Sequence, residues 1–239
     1  MKLFVPKERE AGEPRVAASP DSIKKLKALG FDVVVESGAG ELSRIPDDAF
    51  TAAGASIGSA ADAADADLVL KVRRPGADEL ASYRKGAVVV AMMDPYGNES
   101  ALSAMANAGV TAFAMELMPR ITRAQVMDVL SSQANLAGYQ AVIDAAEVYD
   151  RAFPMMMTAA GTVPAARVFV MGAGVAGLQA IATARRLGAV VTATDVRPAA
   201  KEQVESLGAK FIAVEDEEFK AAETAGGYAK QMSAEYQKK

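Results

Sequence analysis

Apolar positions change their period along the chain. Short apolar, partly β-branched runs at residues 2–5, 31–36, 68–72, 87–92 and 111–114 predict strands. Between several of them lie stretches with helical spacing, at residues 20–29, 47–54 and 99–108. Ser19 suits an N-cap, Pro20 the first helical position and Gly30 a stop. Strands separated by helices predict βαβ units and a mostly parallel sheet. The alanine- and aspartate-rich stretch at 60–67 reads as a solvated helix end.

A polar segment at 119–128 precedes a long helical pattern at 131–149, roughly 30 Å of helix that reads as a bridge between two domains. Residues 153–164 read as an irregular connection carrying Met, Gly and Pro. Strands follow at 167–171, 190–194 and 210–214, with helices at 175–187 and 199–207. Residues 217–227 read as a mobile loop and 228–239 as a charged helix. The expected fold is therefore α/β, with two Rossmann-like domains and parallel sheets joined by a long helix. The domains fall at 1–130 and 165–239, with the bridge and connection at 131–164. A complete doubly wound fold uses two βαβ halves, so three strands predict an incomplete second domain and a sequence that stops within it.

Composition narrows the chemistry. The 239 residues include no cysteine and no histidine, which leaves no thiolate or imidazole ligand for a metal and no Ser-His-Asp triad. A net charge of −4 without a long basic run argues against nucleic acid as a partner. The N-terminus is too short and too charged for a signal peptide, and no apolar run approaches the roughly 18 residues of a spanning helix. A soluble, cytoplasmic protein is expected.

The strongest local motif is Gly172-Ala173-Gly174-Val175-Ala176-Gly177, with G-x-G-x-x-G spacing. The spacing alone is weak, but this copy follows an apolar strand and opens a helix. Gly172 is expected to make the tight turn, Gly174 to admit a pyrophosphate to the backbone, and Gly177 to let helix and strand pack closely. The first-turn N–H groups of Val175 and Ala176 then face an anion. Asp195 lies 23 residues after Gly172, at the end of the next predicted strand. An acid there accepts both ribose hydroxyls of an adenosine and repels a 2′-phosphate, favouring NAD(H) over NADP(H). Its other reading is a cap for the helix near Pro198. Val196 and Arg197 complete this turn, and Arg197 weakens the selectivity by offering a phosphate partner. A second polar group, Arg120, Gln125, Asp128 and Ser131, has side chains that suit an amide and a ribose, but from the residues alone reads rather as a surface loop with a helix cap at Asp128 or Ser131.

The run from Met115 to Tyr139, the segment Met155-Met156-Met157-Thr158-Ala159-Ala160-Gly161-Thr162-Val163-Pro164 and the stretch from Gly172 to Gly208 resemble the NAD(H)-binding component of proton-translocating transhydrogenases. The opening, Pro6-Lys7-Glu8 through Gly12-Glu13-Pro14-Arg15-Val16-Ala17, is similar to the wider family that includes alanine dehydrogenase. The resemblance implies that Arg120, Gln125, Asp128 and Ser131 reach the nicotinamide end of the nucleotide. Of these, Arg120, Gln125 and Asp128 stand at the hydride-transfer site, Gln125 toward the second nucleotide. It also implies that residues 223–232 form a loop closing over the nucleotide, hinged at Gly227 and bearing Tyr228.

Further implications are NADP(H) on a partner component, a membrane-spanning proton-channel component, a homodimer in the full-length form, and a cytoplasmic place at the inner membrane held through those partners. Direct hydride transfer between two nicotinamides needs no protein base, which agrees with the missing histidine. Two other readings remain. Arg15 and Lys71 resemble the substrate-carboxylate and catalytic positions of alanine dehydrogenase, whose histidine would fall within 88–94, where this chain reads Val88-Val89-Val90-Ala91-Met92-Met93-Asp94. The chain can alternatively be read as a truncated, non-catalytic binding module.

Overall fold

The computed structural model describes residues 1–119, 121–222 and 232–238, the side chain of Gln237 excepted. The chain forms two compact units, Met1–Asp128 and Val129–Lys239.

In the first unit, β1 (Lys2–Val5) leads through a long loop to α1 (Pro20–Ala28). The start of α1 follows from its residues: Ser19 Oγ accepts from the Ser22 N–H, and Ser22 Oγ accepts from the Ser19 N–H at 2.7 Å. Leu29 ends the helix, and Gly30 follows at φ +88°. Then come β2 (Asp32–Glu36), α2 (Asp47–Ala52), β3 (Ser56–Gly58), β4 (Leu68–Arg73), α3 (Ala77–Ser82), β5 (Val88–Met92), α4 (Glu99–Ala108) and β6 (Thr111–Ala114). The pattern at 60–67 is a 3-10 turn, Ala60–Asp65, and β3 and α3 are additional to the expected elements.

The six strands run parallel in the order β3-β2-β1-β4-β5-β6. Strand order reverses direction between β1 and β4, the position at which such sheets open a crevice. The period of two in β1 divides the core. Leu3 and Val5 pack with Ile23, Val33 and Phe50 on one face, and Phe4 packs with Val69, Val89 and Met105 on the other.

The second unit begins with α5 (Val129–Val148). Residues 153–164 are not irregular throughout: β7 (Met156–Thr158) and β8 (Gly161–Val163) pair antiparallel as an exposed hairpin. The turn between them is Ala159-Ala160, which the sequence pattern did not predict, and Gly161 at φ +139° opens β8. Then follow β9 (Arg167–Met171), α6 (Val175–Arg186), β10 (Val190–Thr194), α7 (Ala200–Ser206), β11 (Lys210–Phe211) and α8 (Glu217–Lys220).

The sheet order is β11-β10-β9, all parallel. Its core gathers Ile181, Val191, Val204, Phe211 and Phe219 under Val142 of α5. α5 lies against α6, and at Gly138 the backbones approach so closely that a Cβ would collide with the Ala176 backbone. Two expectations at the end of the chain need correction over the described residues, positions 223–231 and 239 lying outside them. Glu217–Lys220 is a short helix capped by Asp216, whose side chain accepts from the Phe219 N–H at 3.1 Å. Among the described residues 232–238 there is only a 3-10 turn, Tyr236–Lys238, in place of the long charged helix.

Candidate functional site

The loop after β9 turns at Gly172, whose φ of +92° is left-handed, and enters α6 through Gly174 as N-cap. The Gly172 N–H donates to the Thr194 carbonyl at 2.8 Å, which ties the loop to the end of β10. Gly177 sits directly on this turn, and a Cβ there would collide with the Gly172 carbonyl oxygen. At Gly174 an added Cβ would meet nothing within 4 Å, so that side of the loop is open. Among the described residues no side chain caps α6, which leaves the first-turn N–H groups around Val175 and Ala176 to an outside acceptor. Free N–H groups, the dipole end and the open glycine together suit a phosphate.

Asp195 follows β10 and joins this loop. Its Oδ2 accepts the Ala173 N–H at 2.7 Å and Arg197 Nη2 at 3.0 Å. Its Oδ1 accepts the Arg197 backbone N–H at 2.8 Å and Nε at 3.0 Å. Burial pushes the Asp195 carboxyl upward, but the Arg197 side chain, the Arg197 N–H and the Ala173 N–H outweigh it and hold the group below its ordinary range. The alternative reading of Asp195 as a helix cap near Pro198 is not met, since among the described residues no side chain caps α7 and the carboxylate accepts from the glycine loop. Beside it, at the carboxyl ends of β9 to β11, a cavity of about 430 Å³ is lined by Phe169, Thr194, Val196, Ile212, Val214 and Tyr236. The Tyr236 hydroxyl donates to the Val214 carbonyl at 2.8 Å.

The structure thus gathers Gly172, Gly174, Val175, Ala176, Gly177, Asp195, Val196 and Arg197 into one patch of the second unit. Gln125 and Asp128 belong to the first unit and Ser131 to the second. Gln125 is exposed on the turn Thr122–Met127, and its carbonyl accepts the Asp128 N–H at 3.2 Å. Asp128 immediately precedes α5, and Ser131 lies half-buried in its first turn. Upstream, the turn Met115–Leu117 is anchored because the Glu116 carboxylate accepts the N–H groups of Met93, at 3.1 Å, and Asp94. Arg120, Gly227 and Tyr228 lie outside the described residues. Sequence reasoning missed Ala173, which sits inside the quoted motif, and Tyr236, which carries no local signal.

The positions resembling a dehydrogenase's substrate site are occupied by the chain's own carboxylates. Lys71 Nζ, its side chain 1% exposed, lies 2.7 Å from Glu79 and 3.3 Å from Glu8. Glu8 also accepts the Val72 N–H at 2.6 Å, so its carboxylate ties the loop after β1 to the end of β4. Arg15 Nε donates to Glu13 at 2.6 Å, and Arg73 Nε to the same carboxylate at 3.0 Å. Arg15 first, with Arg73, holds the Glu13 carboxyl at about 2. Among the described residues no group of His, Cys, Asp and Glu could hold a metal ion, and no helix is long and apolar enough to cross a membrane.

Residues 4–137 match the Alanine dehydrogenase/PNT N-terminal domain, and residues 141–236 match the corresponding C-terminal domain. The whole chain is 62% identical to an NAD(P) transhydrogenase subunit alpha polypeptide of Rhodospirillum rubrum and spans 64% of that protein's length. Over 82% of this chain it is 34% identical to the alanine dehydrogenase of Mycobacterium tuberculosis, matching 54% of that protein. The crystal structure of transhydrogenase from Sinorhizobium meliloti superposes with a TM-score of 0.88 at 76% identity, covering 89% of this chain and 64% of that one. With both halves matched in order, the chain belongs to the alanine dehydrogenase/PNT family.

Proposed function

We propose that this chain is the NAD(H)-binding component of a proton-translocating transhydrogenase. The observation that carries the reading is the bond from Ala173 N–H to Asp195, which builds a phosphate loop and a ribose acid into one preformed patch. Gly174 and the first turn of α6 would hold the pyrophosphate, Asp195 the adenosine ribose, and the cavity by Val196 and Ile212 the adenine. When bound, the nucleotide supplies a hydride at C4 of its nicotinamide, exchanged directly with NADP(H) on a partner component. The chain's own role is to bind, orient and exclude water. Arg120, Gln125, Asp128 and Ser131 serve the nicotinamide end, with Gln125 toward the second nucleotide. Gly227 and Tyr228 serve a closing loop.

An amino-acid dehydrogenase requires Arg15 and Lys71 open to a substrate carboxylate, and here both are engaged by Glu13, Glu8 and Glu79. The partners in this reading are the NADP(H)-binding and membrane-spanning proton-channel components, which hold the protein at the cytoplasmic side of the membrane. A homodimer of the longer protein is supported by the exposed apolar hairpin, where Met156 is 52%, Met157 70% and Val163 45% exposed.

The test is NADH fluorescence titration of the purified chain, competed with NADPH, followed by addition of the partner components. NADH binding that NADPH displaces poorly, loss of that binding in Asp195→Asn, and hydride transfer only with the partners are the expected results. NADH affinity unchanged by Asp195→Asn would remove Asp195 from the site, and hydride transfer by the chain alone would refute the division of labour.

A further inference from the structure

A carboxylate offers about four acceptor positions, two on each oxygen. In Asp195 all four are taken: one on each oxygen by a backbone N–H, of Ala173 and of Arg197, and one on each oxygen by the Arg197 guanidinium. The two backbone bonds fix the rotamer, because they come from the glycine loop and from the turn itself. The guanidinium pair, Nε on Oδ1 and Nη2 on Oδ2, is a fork that presents two parallel N–H donors. A vicinal ribose diol presents two parallel O–H donors to the same two oxygens. The Asp195 side chain is 7% exposed and that of Arg197 26%, so the occupant lies on the solvent side of the acid.

We infer that Arg197 is the residue that sets nucleotide discrimination at this subsite, its guanidinium occupying the two acceptor positions a ribose diol takes. The inference rests on Asp195 being the ribose acid. A diol binds by displacing the guanidinium while the two backbone bonds remain. The displaced arginine stays two residues from the carboxylate, offsets some of its charge, and is a ready partner for a 2′-phosphate. Arg197 therefore weakens NADH binding and also blunts the rejection of NADPH.

The test combines two readouts on the 239-residue chain. The first is the Arg197 Nε–H resonance in NMR. It should be protected from exchange in the free chain, exposed in Asp195→Asn, and exposed on saturation with ADP-ribose. An Nε–H unprotected in the free chain, or still protected with ADP-ribose bound, overturns the proposal.

The second is affinity. Arg197→Ala should bind NADH several-fold more tightly and raise the NADPH-to-NADH ratio of dissociation constants about tenfold, a difference of about 1.4 kcal/mol. Arg197→Lys, which cannot form the fork, should fall between. Equal weakening of both nucleotides in Arg197→Ala would mean that Arg197 grips the nucleotide directly, and would refute the inference. Failure of Asp195→Asn to alter NADH binding would instead strike at Asp195 as the ribose acid.

Discussion

At the scale of single residues, the best-determined feature is the carboxylate of Glu13. Its side chain is 4% exposed and accepts from both Arg15 and Arg73, which holds it at about 2 against an ordinary 4.5. A carboxyl depressed by folding contributes stability above its unfolded value and loses it as pH falls toward the folded one. Glu13→Gln should therefore destabilise the first unit by about 2 kcal/mol at neutral pH, the size of a lost hydrogen bond to a charged group whose partners are half-exposed. Urea unfolding of the variant and the parent should converge as pH falls from about 4.5 to about 2. A difference independent of pH would mean that Glu13 stabilises by packing alone. Asp195 carries the same sign of shift, and its partners are the Arg197 side chain, the Arg197 N–H and the Ala173 N–H of the glycine loop.

At the scale of elements, the seat of α6 on α5 places the glycine loop. Gly138 and Gly177 remove the two Cβ atoms that would push α6 away from its neighbours, one toward α5 and one toward the Gly172 turn. Gly138→Ala should force a backbone shift costing about 1–3 kcal/mol and weaken NADH binding along with stability. Ala137→Ser, at the exposed neighbouring position, should change neither. Thermal unfolding beside NADH titration checks both, and wild-type binding by Gly138→Ala would show that the seat does not matter.

Much at this scale is legible in the sequence. Ser19, Pro20 and Gly30 mark α1, and the glycine spacing marks the loop at Gly172, because caps and tight turns are chemistry of adjacent residues. β3 spans only Ser56–Gly58, and β11 pairs over two residues where five were expected, because pairing partners distant in sequence decide where short strands end. The Asp195–Arg197 fork was invisible for a related reason: the sequence places both residues in one turn, but only rotamers decide whether the arginine meets the acid or solvent.

At the scale of the molecule, the two units share a parallel architecture and divide the work differently. The first carries the strand order typical of dinucleotide-binding sheets, and there Glu8 and Lys71 form a buried ion pair. The second carries the glycine loop on a sheet of three strands. Strand order alone would point a nucleotide to the first unit, whereas the glycine motif points to the second.

The hairpin has a consequence in oxidative chemistry. Met155, Met156 and Met157 are 59%, 52% and 70% exposed, whereas Met93 and Met105 are 1% and 2% exposed. Thioethers react with peroxide according to their access to it, and each sulfoxide turns an apolar side chain into a polar one. Dilute peroxide should oxidise the hairpin methionines, along with the comparably exposed Met1 and Met171, before the buried pair, as read by peptide mass. If the hairpin seats against another copy, protection of those three sulfurs will rise with protein concentration, and their oxidation will in turn drive the copies apart. The methionines would then record in their own oxidation state whether the protein has met its neighbour.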